Sequence, residues 1–442
     1  MTDFTQSPLA ATAIKPRRLT PEASADRTRQ RYARERRYRL VGLGAVCLSL
    51  GLLALLLLTI FAQGYTAFVQ TTIRLPVTLS ADLIDPEGTG DPAVIGKASY
   101  GKLVNEALYA RFPDVSERRD KKALRGLISK GAALDLRRMV MADPGLVGET
   151  LEVELLAADD VDQFVKGFVD VDSGEGDRRL KDRDLAWINA LIADGRVDTV
   201  FNRWLFSRGD SREPEYAGIW GAVVGSAYMM LVTILVSLPL GVGAAVYLEE
   251  FAPKNNRLVD LIEINVNNLA AVPSIVFGLL GLAVFLGLFG MPRSAPLVGG
   301  LTLSLMTLPT IVVVTRAALR AVPPSIREAA LGVGASKLQV VGHHVLPLAL
   351  PGILTGAIIG MARALGETAP LLMIGMIAFI VDIPQGPMDP ATALPVQVYL
   401  WADSPERAFA ERTAAAILVL LGFLLVMNAV AVFLRQRFQV KW

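Results

Sequence analysis

The sequence predicts an all-α polytopic membrane protein with six transmembrane helices and a mixed α/β soluble domain inserted between helices 1 and 2. Three observations carry this expectation. Hydrophobic residues are 52% of the 442, charged residues only 19%, and the apolar ones are gathered into blocks. Each block offers about 20 or more residues with little charge, enough to cross a bilayer core of roughly 30 Å. Between the first and second blocks lies a stretch, 71–215, with the charge density of an ordinary globular chain, at about 145 residues long enough to bury a small core.

Taken in order, residues 1–39 form a basic tail, 40–70 an anchor helix, 71–215 a soluble domain and 216–442 a membrane core of five further helices. The expected spans are Leu40–Ala62, Ile219–Leu248, Ile264–Gly290, Leu297–Thr315, Pro351–Ile380 and Thr413–Leu434. Arg27, Arg29, Arg31, Arg34, Arg36, Arg37 and Arg39 crowd the entrance to the first span, a positive-inside signal that places this end in the cytoplasm. Six crossings then return Arg435, Arg437 and Lys441 to the same side, together with Arg316, Arg320, Arg327 and Lys337. The last outer loop carries Asp382, Asp389, Asp403 and Glu406. The first span has a longer leucine-rich core than a signal peptide, so an uncleaved anchor is expected. The single cysteine, Cys47, lies inside it and excludes an internal disulfide. The net charge of +2 is no argument for nucleic acid.

In the soluble domain, helical periodicity covers Tyr100–Arg111, Ser116–Met141 and Asp182–Ile192, and Leu151, Val153 and Leu155 alternate with glutamates as in a strand. Val171–Asp177 is a glycine-and-acid loop. The acidic run Asp159, Asp160 and Asp162 lacks the spacing of a calcium loop, and neither histidine falls here to supply a nucleophile–base pair. The domain is expected outside the membrane, docking a partner or trimming access to the core.

The membrane core holds polar residues where apolar ones are the rule. Asn267 and Ser274 fall at the entrance of the third expected span, where such groups bond a neighbouring helix or line a path. If the fifth span is helical from Pro351, Arg363 sits roughly 18 Å along it, near mid-membrane, with Glu367 one turn further. The pair has two readings: an internal i, i+4 ion pair, or a guanidinium facing a pathway, with its planar fork suited to an oxyanion. Gly356 and Gly360 form a small-xxx-small pair for a close helix.

Between two apolar runs lies a polar insert, Pro323–Pro351. Ser325 with Glu328, and Ser336 with Gln339, have capping-box spacing. Gly332 and Gly334 are expected to stop the first helix, and Pro347 the second. His343 and His344 are adjacent and would point to different sides of a helix. No phosphate-binding G-x-x-x-x-G-K-[ST] loop occurs anywhere in the chain.

Glu328-Ala329-Ala330, then Gly334, then Leu346-Pro347 resemble the EAA loop of binding-protein-dependent ABC importer permeases. His344 replaces the aliphatic residue usual two places before the Leu-Pro. Three further stretches, Leu238–Glu250, Asn267–Leu279 and Arg363–Leu371, look like the phosphate permeases of the PstA family. The resemblance covers roughly Gly218–Trp442. It implies a type I ABC importer permease fold and no enzymatic activity of the chain itself. The partners it implies are a second permease (PstC), an ATPase dimer (PstB) carrying ATP and Mg, and a periplasmic phosphate-binding protein (PstS). It also implies a place in the bacterial inner membrane, ATPase coupling through Glu328, Ala329, Ala330, Gly334, Leu346 and Pro347, and a substrate path at Arg363, Glu367 and Thr368. Members typically have a short segment where this chain has residues 71–215. Sulfate or molybdate as substrate, a secondary anion transporter, and a phosphate-sensing scaffold stay open beside the phosphate importer.

Overall fold

The computed structural model describes residues 21–170, 174, 176, 178–253 and 256–438. Residues 1–20 of the basic tail, most of the 171–177 loop and Lys441 lie outside them. The chain forms two units, residues 1–59 and 60–442. The described part of the first lies within one helix, α1 (Pro21–Gly64), which runs past the boundary and whose apolar side chains Leu40, Val46, Leu53 and Leu58 are exposed.

The second unit opens with a soluble domain built on a three-stranded sheet. Strand β1 (Val69–Thr78) lies between β2 (Thr150–Leu156) and β3 (Val197–Phe201), antiparallel to both. The expected anchor therefore gives way to a strand at Val69, inside the range 40–70 assigned to it. The uncharged run to Ile73 concealed that change. Alternation puts Ile73, Leu75 and Val77 on one fully buried face while Arg74, Pro76 and Thr78 face out. Pairing with β3 stops at Ile73, and Arg74 still donates to Arg196 O on that side. The N–H that Pro76 lacks would point to the same side two residues on, past the end of β3, so the proline costs no ladder bond.

Helices α2 (Tyr100–Arg111), α3 (Arg118–Arg125), α4 (Ala132–Ala142), α5 (Asp159–Val165) and α6 (Asp182–Ala193) complete the domain. Leu103, Leu108, Leu124, Leu136, Ile188 and Leu191 close on Ile73, Leu75, Val153 and Leu155 in one core. Burying each such side chain stabilises by roughly 1.5–3 kcal/mol. The single helix expected over Ser116–Met141 is two, because the chain turns at Gly126–Gly131. There Gly131 sits so close against the Tyr216 ring that a Cβ would overlap it.

The membrane core begins with α7 (Trp220–Val246), extended by one π turn to Phe251. Helices α8 (Arg257–Ala270) and α9 (Ser274–Gly281) follow, and a π turn carries α9 on to Leu288. Next come α10 (Pro296–Arg320), α11 (Pro324–Gly332), α12 (Lys337–Gly366, with a π turn at Val340–Val345), α13 (Ala369–Met373), α14 (Leu394–Ala402) and α15 (Ala408–Phe438). Among the described residues five helices are long and apolar enough to cross a membrane, or six if the pair α8–α9 is one span. That pair is bent by 102°, so the expected straight span Ile264–Gly290 is an elbow. Pro273 makes it: the ring removes a helical N–H and disfavours a helical residue before it. The expected span Pro351–Ile380 is also corrected. Its helix starts earlier, at Lys337, and ends at Gly366. The core closes through glycines. A Cβ on Gly300 of α10 would lie 2.6 Å from Met229 O of α7. The small-xxx-small contact of α12 is made by Gly352, against Ala318, and Gly356, against Val314. Gly360 has open space.

Buried charges hold the soluble domain to the start of α15. Lys166 Nζ lies 2.7 Å from Asp162 and 2.9 Å from Glu411, all three almost fully buried. Gln163 donates to the other Glu411 oxygen at 2.8 Å. Arg412 reaches Gln70 at 2.5 Å, and Asp162 accepts the Thr71 N–H at 2.8 Å. Removing one member strands the rest, a loss of about 3–5 kcal/mol for a buried pair. Beside this knot the Asp159 carboxyl is pushed up to about 7 by burial and by the nearby charges of Asp160, Glu215, Asp162 and Glu406. Burial raises Asp160 and Glu215 in the same direction. An acid raised on folding binds its proton more tightly in the native state, so ionising it costs stability. The thermal midpoint of the full chain in detergent is expected to fall as pH rises from the model-peptide value of 3.8 to about 7 and then to level off. Asp159→Asn should flatten that slope and raise the midpoint at pH 8; an unchanged slope would contradict the assignment.

Candidate functional site

The polar insert folds as a helix, a glycine turn and the start of α12. Pro323 is the N-cap of α11 and makes no side-chain cap, and Pro324 opens the helix. Ser325 is already its second helical residue, so the Ser325–Glu328 capping box does not form. The second box does: Ser336 N–H donates to Gln339 Oε1 at 2.8 Å, and Gln339 N–H to Ser336 Oγ at 3.4 Å. Gly334, with φ +88°, makes the turn between them, while Gly332 remains helical. Pro347 does not stop the second helix. A wide π turn at Val340–Val345 precedes it, a local widening where the proline ring would otherwise crowd the preceding turn, and the backbone continues helical to Gly366. Both histidines lie on that turn, exposed.

On the surface of this insert Glu328, Ala329, Gly334 and Pro347 are open, and Leu346 is half-buried. Leu331, Val333 and Leu338 are also exposed, Val333 to 85%, an apolar patch of the kind that marks a protein contact. Ala330 faces the other way, buried with Leu319, Val322, Val340 and Val345. Its small side chain lets α11 lie on the end of α10 and does not form part of the open face.

A charge network underlies the insert. Glu249 takes Arg316 and Arg320, Glu263 takes Arg316 at 2.8 Å, and Glu250 takes Arg327 at 2.6 Å. The sequence put Arg316, Arg320 and Arg327 on one expected side. Which acid meets which arginine depends on packing between helices far apart in the chain.

Arg363 lies in the last turn of α12, about 39 Å from Lys337 along the axis, rather than midway along a longer helix. Glu367 is extended, φ −81° and ψ 114°, and ends the helix. Pro370, which cannot donate back to Gly366, is the second residue of α13, whose N-cap is Thr368. The ion pair is present, Arg363 Nε to Glu367 Oε1 at 3.6 Å, with the arginine side chain 52% exposed. Helix α13 packs on α9, where a Cβ on Gly278 would fall 2.6 Å from Pro370 Cα. The helix begun by Ser274 and the one capped by Thr368 thus meet, each just after a break. Asn267 is on the other limb of the elbow, exposed.

Comparison with known proteins fits this arrangement. Residues 237–440 match the family described as binding-protein-dependent transport system inner membrane component, and residues 25–175 match a domain of unknown function, DUF3333. The chain is 35% identical to the phosphate transport system permease protein PstA of Mycobacterium leprae over 242 residues, 54% of this chain and 78% of that one. It is 34% identical to PstA 1 of Mycobacterium tuberculosis, covering 57% and 81%. To the probable ABC transporter permease protein YqgI of Bacillus subtilis it is 40% identical over 35% of this chain, spanning about half, 52%, of that relative. A solved methionine ABC transporter, MetNI in an inward-facing conformation, aligns at 18% identity and TM-score 0.40, over 50% of this chain and 95% of that one. The chain belongs to the binding-protein-dependent transport permeases, membrane subunits and not enzymes. Within that family it belongs with the PstA permeases. The family implies a partner permease, an ATPase and a substrate-binding protein, and the bacterial inner membrane is the expected location.

The capping box gives a local test. Ser336→Ala is expected to remove about 1 kcal/mol, which is about fivefold in the opening equilibrium of the turn. Amide hydrogen exchange across 334–340 should speed up by that factor while the middle of α12 is unaffected. Equal exchange in both proteins would mean that the box contributes nothing.

Proposed function

We propose that the chain is the permease subunit of an ATP-driven phosphate importer. With a partner permease of the PstC type it forms the path for inorganic phosphate. Its ATPase is a PstB-type dimer carrying ATP and Mg, and its cargo arrives on a PstS-type binding protein. In this reading α8–α9 is one broken span, the type I permease has six spans, both termini are cytoplasmic, and the 71–215 domain stands outside. The observation that carries the reading is the unbroken helix from the exposed insert to Arg363. It gives a closing ATPase dimer a stiff connection to Arg363, at the break after α12, beyond which α13 packs on α9.

The open face of the insert (Glu328, Ala329, Gly334) receives the ATPase, and Leu346 and Pro347 lie where that face passes into the span. Arg363 offsets the charge of the anion, Glu367 holds the guanidinium by the ion pair, and Thr368, Ser274 and Asn267 offer uncharged polar groups along the path. An arginine selects for an oxyanion; the likeness to PstA permeases selects phosphate over sulfate or molybdate. A secondary transporter leaves the exposed apolar trio on the insert without a purpose.

Arg363→Glu is expected to abolish phosphate uptake while the ATPase subunit still co-purifies. Gly334→Asp, which puts a side chain at φ +88°, should instead lose co-purification. Normal uptake by Arg363→Glu would sink the role given to that residue, and uptake of sulfate in place of phosphate would sink the substrate.

A further inference from the structure

Arg327 directly precedes Glu328, and all of its donor nitrogens are engaged. Nε and Nη2 reach Glu250 Oε1 at 3.2 and 2.6 Å. Nη1 donates to Val322 O at 2.7 Å and Nη2 also to Leu319 O at 2.9 Å. Leu319 O is in the last turn of α10, where it also takes the Val322 N–H, and Val322 O lies just past the helix end, where carbonyls have no helical N–H of their own. The guanidinium is 23% exposed and the Glu250 carboxylate 11%. One side chain on α11 therefore grips the π turn that ends α7 and the C-terminus of α10.

The grip continues sideways. Glu249, next to Glu250, accepts from Arg320 Nε at 2.9 Å and from Arg316 Nε at 3.3 Å, and Arg316 Nη2 reaches Glu263 of α8 at 2.8 Å. The covalent chain joins α11 to α10 behind it and, through the Gly334 turn, to α12 ahead of it. It gives α11 no hold on α7 or α8. Besides the apolar packing of Leu238, Val242 and Val246 of α7 in the cluster that buries Ala330, charge-assisted, partly buried hydrogen bonds supply that hold, and they are the strong, directional kind.

We propose that the Arg327–Glu250 pair is the positioning contact by which movement of α11 is delivered to α7, and through Glu249 and Arg316 to α8, so that the spans move together with α12. This rests on the reading of the insert as the ATPase-coupling element. Glu250 touches neither the ATPase face nor the Arg363 region, so losing it uncouples without undocking. Lysine at 327 keeps the charge but loses the fork, and does not substitute.

The test uses the complete importer, reconstituted with its partner permease, ATPase and binding protein, with phosphate uptake and ATP hydrolysis measured on the same vesicles. In Glu250→Gln and Arg327→Lys the ATPase should co-purify as in wild type and hydrolysis should stay within about twofold. Phosphate moved per ATP should fall about tenfold, within the range of ordinary coupling between sites. The Glu250→Gln, Arg327→Lys double variant should be no worse than either single, as for residues acting as one unit. A second readout is independent of the substrate. In a Cys47→Ser background, spin labels at Ser325→Cys and Tyr247→Cys should keep their separation when ATP is added to wild type and change it in Glu250→Gln. A wild-type transport ratio in both single variants, a parallel fall of uptake and hydrolysis, loss of the ATPase on purification, or label separations that respond to ATP alike in both proteins would each overturn the proposal. Failure of wild type to take up phosphate, with the label result as expected, would count against the substrate and leave the coupling contact supported.

Discussion

Backbone continuity between Lys337 and Gly366 is the constraint on which the membrane core depends. An α-helix of this length is a stiff rod of about 45 Å, and here it begins in a polar turn and ends at a charged pair. Two prolines, Pro347 and Pro351, lie within it, and either would break an isolated helix. The π turn before Pro347 takes up the first, and close packing of Gly352 and Gly356 on α10 holds the rod across the second. A flexible link at Pro347 would leave the insert and the Arg363 region as separate parts. The helix makes them two ends of one body.

Around that rod, charge does what apolar packing cannot do at a membrane surface. Lipid tails are as apolar as leucine, so helices gain little from burying leucine against leucine. The ends of α7, α8, α10 and α11 are tied by Glu249, Glu250 and Glu263 with Arg316, Arg320 and Arg327. At the start of α15 the soluble domain is tied by Asp162, Lys166 and Glu411. Both knots are partly or wholly buried, and both join elements distant in sequence. They fix which helix ends move together.

The apolar blocks, the soluble insertion, the Ser336–Gln339 box and the Gly334 turn were legible because each is a local pattern with a local cause. What escaped depended on neighbours. The strand at Val69 was hidden because a buried strand and the end of a membrane helix are both uncharged; only pairing with Leu155 and Thr199 distinguishes them. Pro273 could be seen to weaken a helix, but the angle it produces depends on what α9 packs against. Ser325 had the right spacing for a cap and the wrong position, because the helix starts at Pro324, two residues before the start that a Ser325 cap requires. The Arg363–Glu367 pair was readable from its spacing. Its place at a helix end was not, because Pro370 interrupts an apolar run that composition alone carries on to Ile380.

That last correction bears on how an anion is held. An arginine midway along a continuous helix, paired with a glutamate one turn on, is a satisfied pair with little reason to release its partner. At a helix end the geometry is looser: the separation is 3.6 Å, and half of the guanidinium surface is open in the single chain. Among the described residues the Arg363 side chain is left about half open. In the proposed importer the partner permease covers that open side, and the anion passes between the two chains rather than through the closed interior of one. A loose ion pair suits that passage, because the guanidinium can exchange Glu367 for the passing oxyanion and back again without being left uncompensated.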